Sequence, residues 1–165
     1  MKFRKPLILK ELLVENYAAE GKSLAKIDGK VVFIENAVPG DIVDVQVFKN
    51  KKDWAEGFPL HFHKLSEQRI EPFCPHFTVC GGCQWQMLPY EKQLLYKQQQ
   101  VSDVLQRIGK VQLPVINNII GADEDKYYRN KLEYTFSSKQ FIPEHQFRQM
   151  IDEGSDIKCI TQKNV

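Results

Sequence analysis

Three cysteines stand within ten residues of this chain, as Cys74, Cys80 and Cys83, and a fourth, Cys159, lies far downstream. Exposed free thiols oxidise and cross-link, so thiols packed this closely need a ligand or a redox task. Gly81 and Gly82 separate Cys80 from Cys83 and let the backbone curl until both sulfurs face one point. A disulfide framework would suit a secreted chain, yet Met1-Lys2-Phe3-Arg4-Lys5 is not followed by an apolar signal-peptide core. The longest apolar runs, such as Val31-Val32-Phe33-Ile34, are strand-sized, so no membrane partner is expected. The expectation is a cytoplasmic chain whose cysteines bind a metal or a cluster, with unliganded buried thiols as the plainer alternative.

Spacing alone leaves zinc and iron–sulfur both open. Zinc sites usually show two short Cys knuckles, or one knuckle with paired histidines. This chain has the single knuckle Cys80 to Cys83, a longer arm back to Cys74, and His76 as a candidate fourth zinc ligand. Iron–sulfur clusters commonly take three cysteines from one loop and a distant fourth, often beside a proline. Cys74-Pro75 and the remote Cys159 lean that way.

The rest of the chain must position this loop. With 165 residues, 42% of them hydrophobic, it can bury one ordinary core or two small ones. The net charge of +2 makes no case for nucleic acid by itself. Residues 1–65 carry 11 basic and 9 acidic side chains, and residues 111–165 carry 7 and 8, so any basic surface must come from local arrangement. The last residues, Thr161-Gln162-Lys163-Asn164-Val165, show no helix cap or strand partner, which suggests a fragment of a longer protein.

An α+β chain in three regions is expected. Residues 1–65 read as a small OB-like β-barrel of five or so strands, from β-branched runs at Leu12-Leu13-Val14, Val31-Val32-Phe33-Ile34 and Ile42 to Val47. Val43, Val45 and Val47 alternate with Asp44 and Gln46, giving one buried and one wet face. Asp28-Gly29 is suited to a hairpin and Pro39-Gly40 to a turn. Lys49, Lys51 and Lys52 fall where one strand turns into the next, either as a solvated tip or as phosphate contacts. Trp54 beside them either stacks on a base or, the plainer reading, seals the barrel's end.

Residues 66–110 hold the cysteine loop and a helix opened by Pro89 and ended by Gly109, with Leu94, Val101, Leu105 and Ile108 as one apolar stripe. Gln98 to Gln100 belong to its solvent face, and the helix is expected to clamp the loop onto a neighbouring domain. Residues 111–165 begin a third unit, with Leu132, Tyr134 and Phe136 on one face of a strand and no clear partner strand after it. Arg129, Asn130 and Lys131 stand before that strand, behind Tyr127 and Tyr128, and offer charge and forked hydrogen bonds to RNA. A hydrated strand entrance is the bland alternative.

In order, these parts resemble a known family. Ala37-Val38-Pro39-Gly40-Asp41 resembles the turn of TRAM domains, small RNA-binding barrels. Ser66-Glu67-Gln68-Arg69 through Phe73-Cys74-Pro75-His76-Phe77, then Cys80-Gly81-Gly82-Cys83-Gln84-Trp85-Gln86, resembles the cluster motif of RNA uracil-5-methyltransferases of the 23S rRNA type. Tyr90, Gln93 and Tyr128-Arg129-Asn130-Lys131-Leu132-Glu133-Tyr134 continue the likeness, which runs to about residue 138. The resemblance implies a [4Fe–4S] cluster on Cys74, Cys80 and Cys83, with Cys159 or a residue beyond Val165 as fourth ligand. It also implies RNA, an rRNA loop, as partner of a monomer. Members of that family use a cysteine nucleophile, a carboxylate base and S-adenosylmethionine in a C-terminal domain. No glycine-rich turn between strand and helix follows residue 110, so this chain is expected to be inactive alone. A stand-alone RNA-binding module with a structural zinc or iron–sulfur site is the alternative.

Overall fold

A computed structural model describes residues 7–78 and 82–128, together with 131, 136, 138, 140–142, 150 and 159–161. The chain divides into two compact units, one of Met1–Phe73 with Gln84–Asp123, the other of Cys74–Cys83 with Glu124–Val165.

The first unit is built on a curled six-stranded sheet. Its strands are β1 (Leu7–Leu13), β2 (Asn16–Tyr17), β3 (Ser23–Ile27), β4 (Lys30–Ile34), β5 (Ile42–Asn50) and β6 (Trp54–Lys64). They lie in the order β1-β5-β6-β4-β3-β2, and all pairs are antiparallel except β4 with β6. The sheet curls far enough for Glu15 N to donate to Leu24 O (2.8 Å), tying the chain after β1 to β3. The inner face is the core: Val32, Ile34, Val43, Val45 and Ala25 are fully buried. Asp28 (φ 49°) and Gly29 (φ 75°) form the β3–β4 hairpin in the left-handed backbone that such two-residue turns require.

The wet face of β5 is less wet than its alternation suggests. Gln46 is buried, because β5 is a central strand and Gln46 is flanked in register by Ile8 on β1 and the buried Phe58 on β6. Asp44 stays half-buried and accepts from Glu11 N (2.9 Å), at the bulge where β1 slips register. The same carboxylate oxygen lies 2.8 Å from His63 Nε2. Those two contacts hold the Asp44 carboxyl below the usual carboxylate range, the Glu11 amide first and His63 second.

Helix α1 (Tyr90–Asp103) runs on through a π turn, Val104–Ile108, to Gly109. Its expected apolar stripe is not a buried stripe: Val101, Leu105 and Ile108 are exposed. The helix is held by its first turns instead. Gln93 Nε2 donates to Trp85 O (3.1 Å) and Leu88 O (3.0 Å), the Tyr90 hydroxyl accepts from Ala122 N (2.8 Å), and Gln98 is not merely solvated. Its side chain pairs like a strand, taking Ile119 N (2.8 Å) and donating to Asn117 O (3.3 Å).

In the second unit β7 (Gln140–Ile142) pairs in parallel with β8 (Cys159–Thr161). These two strands pair with each other, and residues 132–135 of the expected strand lie outside the described residues. Phe136, assigned to an apolar strand face, is 95% exposed, while Leu132 and Tyr134 lie outside the described residues.

Candidate nucleic-acid face and cysteine loop

The turn 37–41 is a clasp. Gly40 takes φ 96°, and a Cβ there would sit 2.9 Å from Ser66 Oγ, so the position is closed to larger residues. Asp41 is fully buried and accepts from Val38 N (2.7 Å), Ser66 N (2.8 Å) and, through both oxygens, Arg69 (Nε 2.9 Å, Nη2 2.7 Å). A buried carboxylate tolerates its lost hydration only when hydrogen bonds and a forked guanidinium replace water. Arg69 also donates to Asn36 O (3.1 Å) and lies 4.9 Å from the Phe62 ring centroid. The segment leaving the barrel is thereby fastened back onto it.

A second fastening is aromatic. Tyr17 meets Trp85 at 4.8 Å and Tyr96 at 4.7 Å between centroids, and Trp85 Nε1 donates to Gly21 O (3.1 Å). Burial pushes the Tyr17 phenol well above its ordinary range, and its hydroxyl donates to Ala37 O (3.1 Å). Both sides of the cysteine loop are therefore pinned, and Ile70 N donating to Met87 O (3.0 Å) joins the chain on either side of it.

Within the loop, Phe77 N donates to Cys74 O (3.1 Å) in a tight turn, and Thr78 is left-handed (φ 70°). Cys74 is half-buried and Cys83 exposed, both as thiols; Cys80 lies outside the described residues. The backbone of Cys159 pairs with Gln140, and the side chain of Cys159 lies outside what is described. Cys74, Cys83 and the backbone of Cys159 belong to the same compact unit. His76 is exposed, and among the described residues no three His, Cys, Asp or Glu side chains converge on one point.

The lysine turn is where its spacing places it. Lys51 N donates to Trp54 O (2.8 Å) to close the β5–β6 connection, and Lys51 and Lys52 are exposed with no ion pair among the described residues. Lys49 differs from them. Its Nζ lies 4.6 Å from the Trp54 ring centroid and 3.7 Å from Glu56 Oε1. Trp54 does not seal the barrel. Because β6 alternates, Ala55 and Gly57 face the core, and Trp54 and Glu56 share the outer face with Phe33 of β4. Sequence reasoning missed Glu56 and Phe33, which cross-strand register places side by side, and Lys22, which reaches Glu56 from just before β3. Arg129 and Asn130 lie outside the described residues; Lys131 is exposed, as are Tyr127 and Tyr128 before it.

No helix among the described residues is long and apolar enough to cross a membrane. The TRAM domain model matches residues 10–60, the sheet just described. A protein of Bacteroides thetaiotaomicron, described as an uncharacterized RNA methyltransferase, is 51% identical over 132 residues, covering 80% of this chain and 29% of its own length. One of Porphyromonas gingivalis with the same description is 48% identical over 129 residues, covering 78% and 28%. One of Halalkalibacterium halodurans, likewise an RNA methyltransferase, is 40% identical over 130 residues, covering 79% and 28%. The chain spans under a third of the length of these relatives.

Proposed function

We propose, from a TRAM domain match over residues 10–60 and the likeness to proteins described as RNA methyltransferases, that the chain is the RNA-recognition and cluster-bearing front of a uracil-5-methyltransferase acting on 23S rRNA. One observation carries the reading. A TRAM barrel and a loop of three cysteines, pinned on both sides, follow each other in a chain homologous to RNA methyltransferases. The donor set suits a [4Fe–4S] cluster, since thiolates are its usual ligands and Cys74, Cys83 and the backbone of Cys159 fall in one compact unit. Cys74, Cys80 and Cys83 would hold it, with Cys159 or a residue beyond Val165 as the fourth ligand. Bound there, the cluster supplies a structural crosslink.

The chain's own residues bind and orient RNA. Lys51 and Lys52 stand clear in solvent at a loop tip, free to meet phosphates, with Lys49 behind them. Arg129, Asn130 and Lys131 serve nearer the target base, where a guanidinium can fork to phosphate or base edge. Methyl transfer from S-adenosylmethionine, with its thiolate nucleophile and carboxylate base, belongs to the remainder of the longer protein.

The test is anaerobic reconstitution with iron and sulfide, followed by metal analysis and RNA titration. A brown protein whose visible absorbance is lost in Cys80→Ser is expected. RNA affinity should fall with salt by about 0.7 log units per log unit for each phosphate contact. A colourless protein holding only zinc would favour a TRAM module with a structural zinc site, and Cys80→Ser retaining full iron would remove the cluster assignment.

A further inference from the structure

The outer face of the barrel holds a charge arrangement that the lysine turn does not account for. Across β4, β6 and β5 the register runs Phe33, Glu56, Lys49, and Trp54 lies two residues before Glu56 on the same face. Glu56 Oε1 lies 3.6 Å from Lys22 Nζ and 3.7 Å from Lys49 Nζ. Lys49 also covers the Trp54 ring at 4.6 Å, and Phe33 meets Trp54 edge-on at 6.3 Å. Glu56 therefore bridges two ammonium groups, of which Lys22 also meets Glu20 Oε2 at 3.7 Å, beside a pair of half-buried aromatic rings on a solvent face.

We infer that this face is a latched stacking site for single-stranded RNA, with Trp54 and Phe33 as the platform and Glu56 as the latch. The inference rests on the RNA-binding reading and deepens it. A phosphate carries the same charge and acceptor type as the Glu56 carboxylate, so it can take over Lys22 and Lys49 by exchange. Lys49 is half exposed, and its long stem lets the ammonium swing from the ring toward a phosphate. The uncovered indole then offers its face to a base, an interaction open to every base because each has a π-face. The Glu56 carboxylate is left unpaired and repels the incoming backbone, so the latch limits non-specific hold on RNA. Two exchangeable lysines beside half-exposed rings point to a polyanion with planar bases.

The chain has two tryptophans, which makes the exchange readable. Trp85 is buried and hydrogen-bonded to Gly21 O, leaving Trp54 as the accessible emitter. The probe is a short oligouridine, followed by fluorescence anisotropy of a label and by intrinsic emission. Binding should quench emission in the wild-type chain, and Trp54→Phe, which keeps a ring in place, should abolish most of that quench. Trp54→Leu should weaken binding roughly fivefold or more. Glu56→Gln should tighten it, on the order of threefold, since it removes the carboxylate shared by both lysines and leaves Glu20 on Lys22 alone. Oligouridine bound with unchanged Trp54 emission, or no tighter by Glu56→Gln, would overturn the latch. If those variants bind like wild type while neutralised Lys51 and Lys52 lose affinity, the RNA reading stands and the platform falls. No binding by wild type at all would remove both.

Discussion

The barrel and the cysteine loop solve different problems with different chemistry. In the barrel, aliphatic side chains on the inner faces of the strands are removed from water, and Val43 and Val45 are fully buried. Fully burying one such side chain contributes about 1.5–3 kcal/mol, so several suffice to hold a small sheet together. Among the described residues of the second unit the pairing is two three-residue strands, and Cys83 is exposed. Burial builds the first. The proposed cluster would build the second, as metal binding does in small domains whose ligands are scattered in the unfolded chain.

That contrast can be broken at three points. The largest effect should come from Asp41→Ala, which strips five hydrogen bonds from a buried carboxylate site and leaves Arg69, among the described residues, facing Asn36 O and Phe62. Breaking a buried pair typically costs about 3–5 kcal/mol, so the barrel's thermal midpoint should fall by on the order of ten degrees or more. A shift of a degree or two would mean that the clasp is decorative. Cys83→Ser should behave in the opposite way. The visible absorbance of the reconstituted protein should vanish while the barrel's own melting transition moves by less than about 1 kcal/mol. Loss of both together would erase the distinction between the units.

The smallest effect concerns acid. The Asp44 carboxyl is held low in the folded chain by Glu11 N and then by His63, so it adds stability that is present above the ordinary carboxylate value near 4. That contribution is lost as pH falls through the depressed value. Melting profiles from neutral pH downward should show the acid limb flattened in Asp44→Asn relative to wild type. An identical limb would show that the β1 bulge is held by other bonds.

Much of the sheet was legible because its signals are local. The strand over Val31 to Ile34 and the Asp28-Gly29 hairpin follow from β-branched runs and turn chemistry within a few residues. Two kinds of feature were not. Gln46 is buried by what its neighbours in register carry, and those neighbours are set by bulges that no alternation pattern encodes. The helix stripe misled for a related reason. Periodicity marks a face without saying what covers it, and α1 is docked by Gln93 and Tyr90 rather than by Val101 or Leu105. At the site, the positions of Lys51 and Lys52 were readable as a loop tip, whereas the pairing of Lys49 with Glu56 needed the register across β5 and β6. Strands as short as β7 and β8, paired in parallel across residues 143–158, leave almost no trace in composition.

The hydrogen bond from Ile70 to Met87 has a consequence for assembly order. With the chain joined at those two residues, Cys74 and Cys83 lie on a short tether, and in the proposed assembly an iron captured by one would meet the other at an effective concentration of order millimolar. In the unfolded chain the same encounter must first close a free loop against its own entropy. With the proposed cluster, the barrel would act as a template for metallation, and iron added to a chain held unfolded should load more slowly than iron added after the sheet has formed.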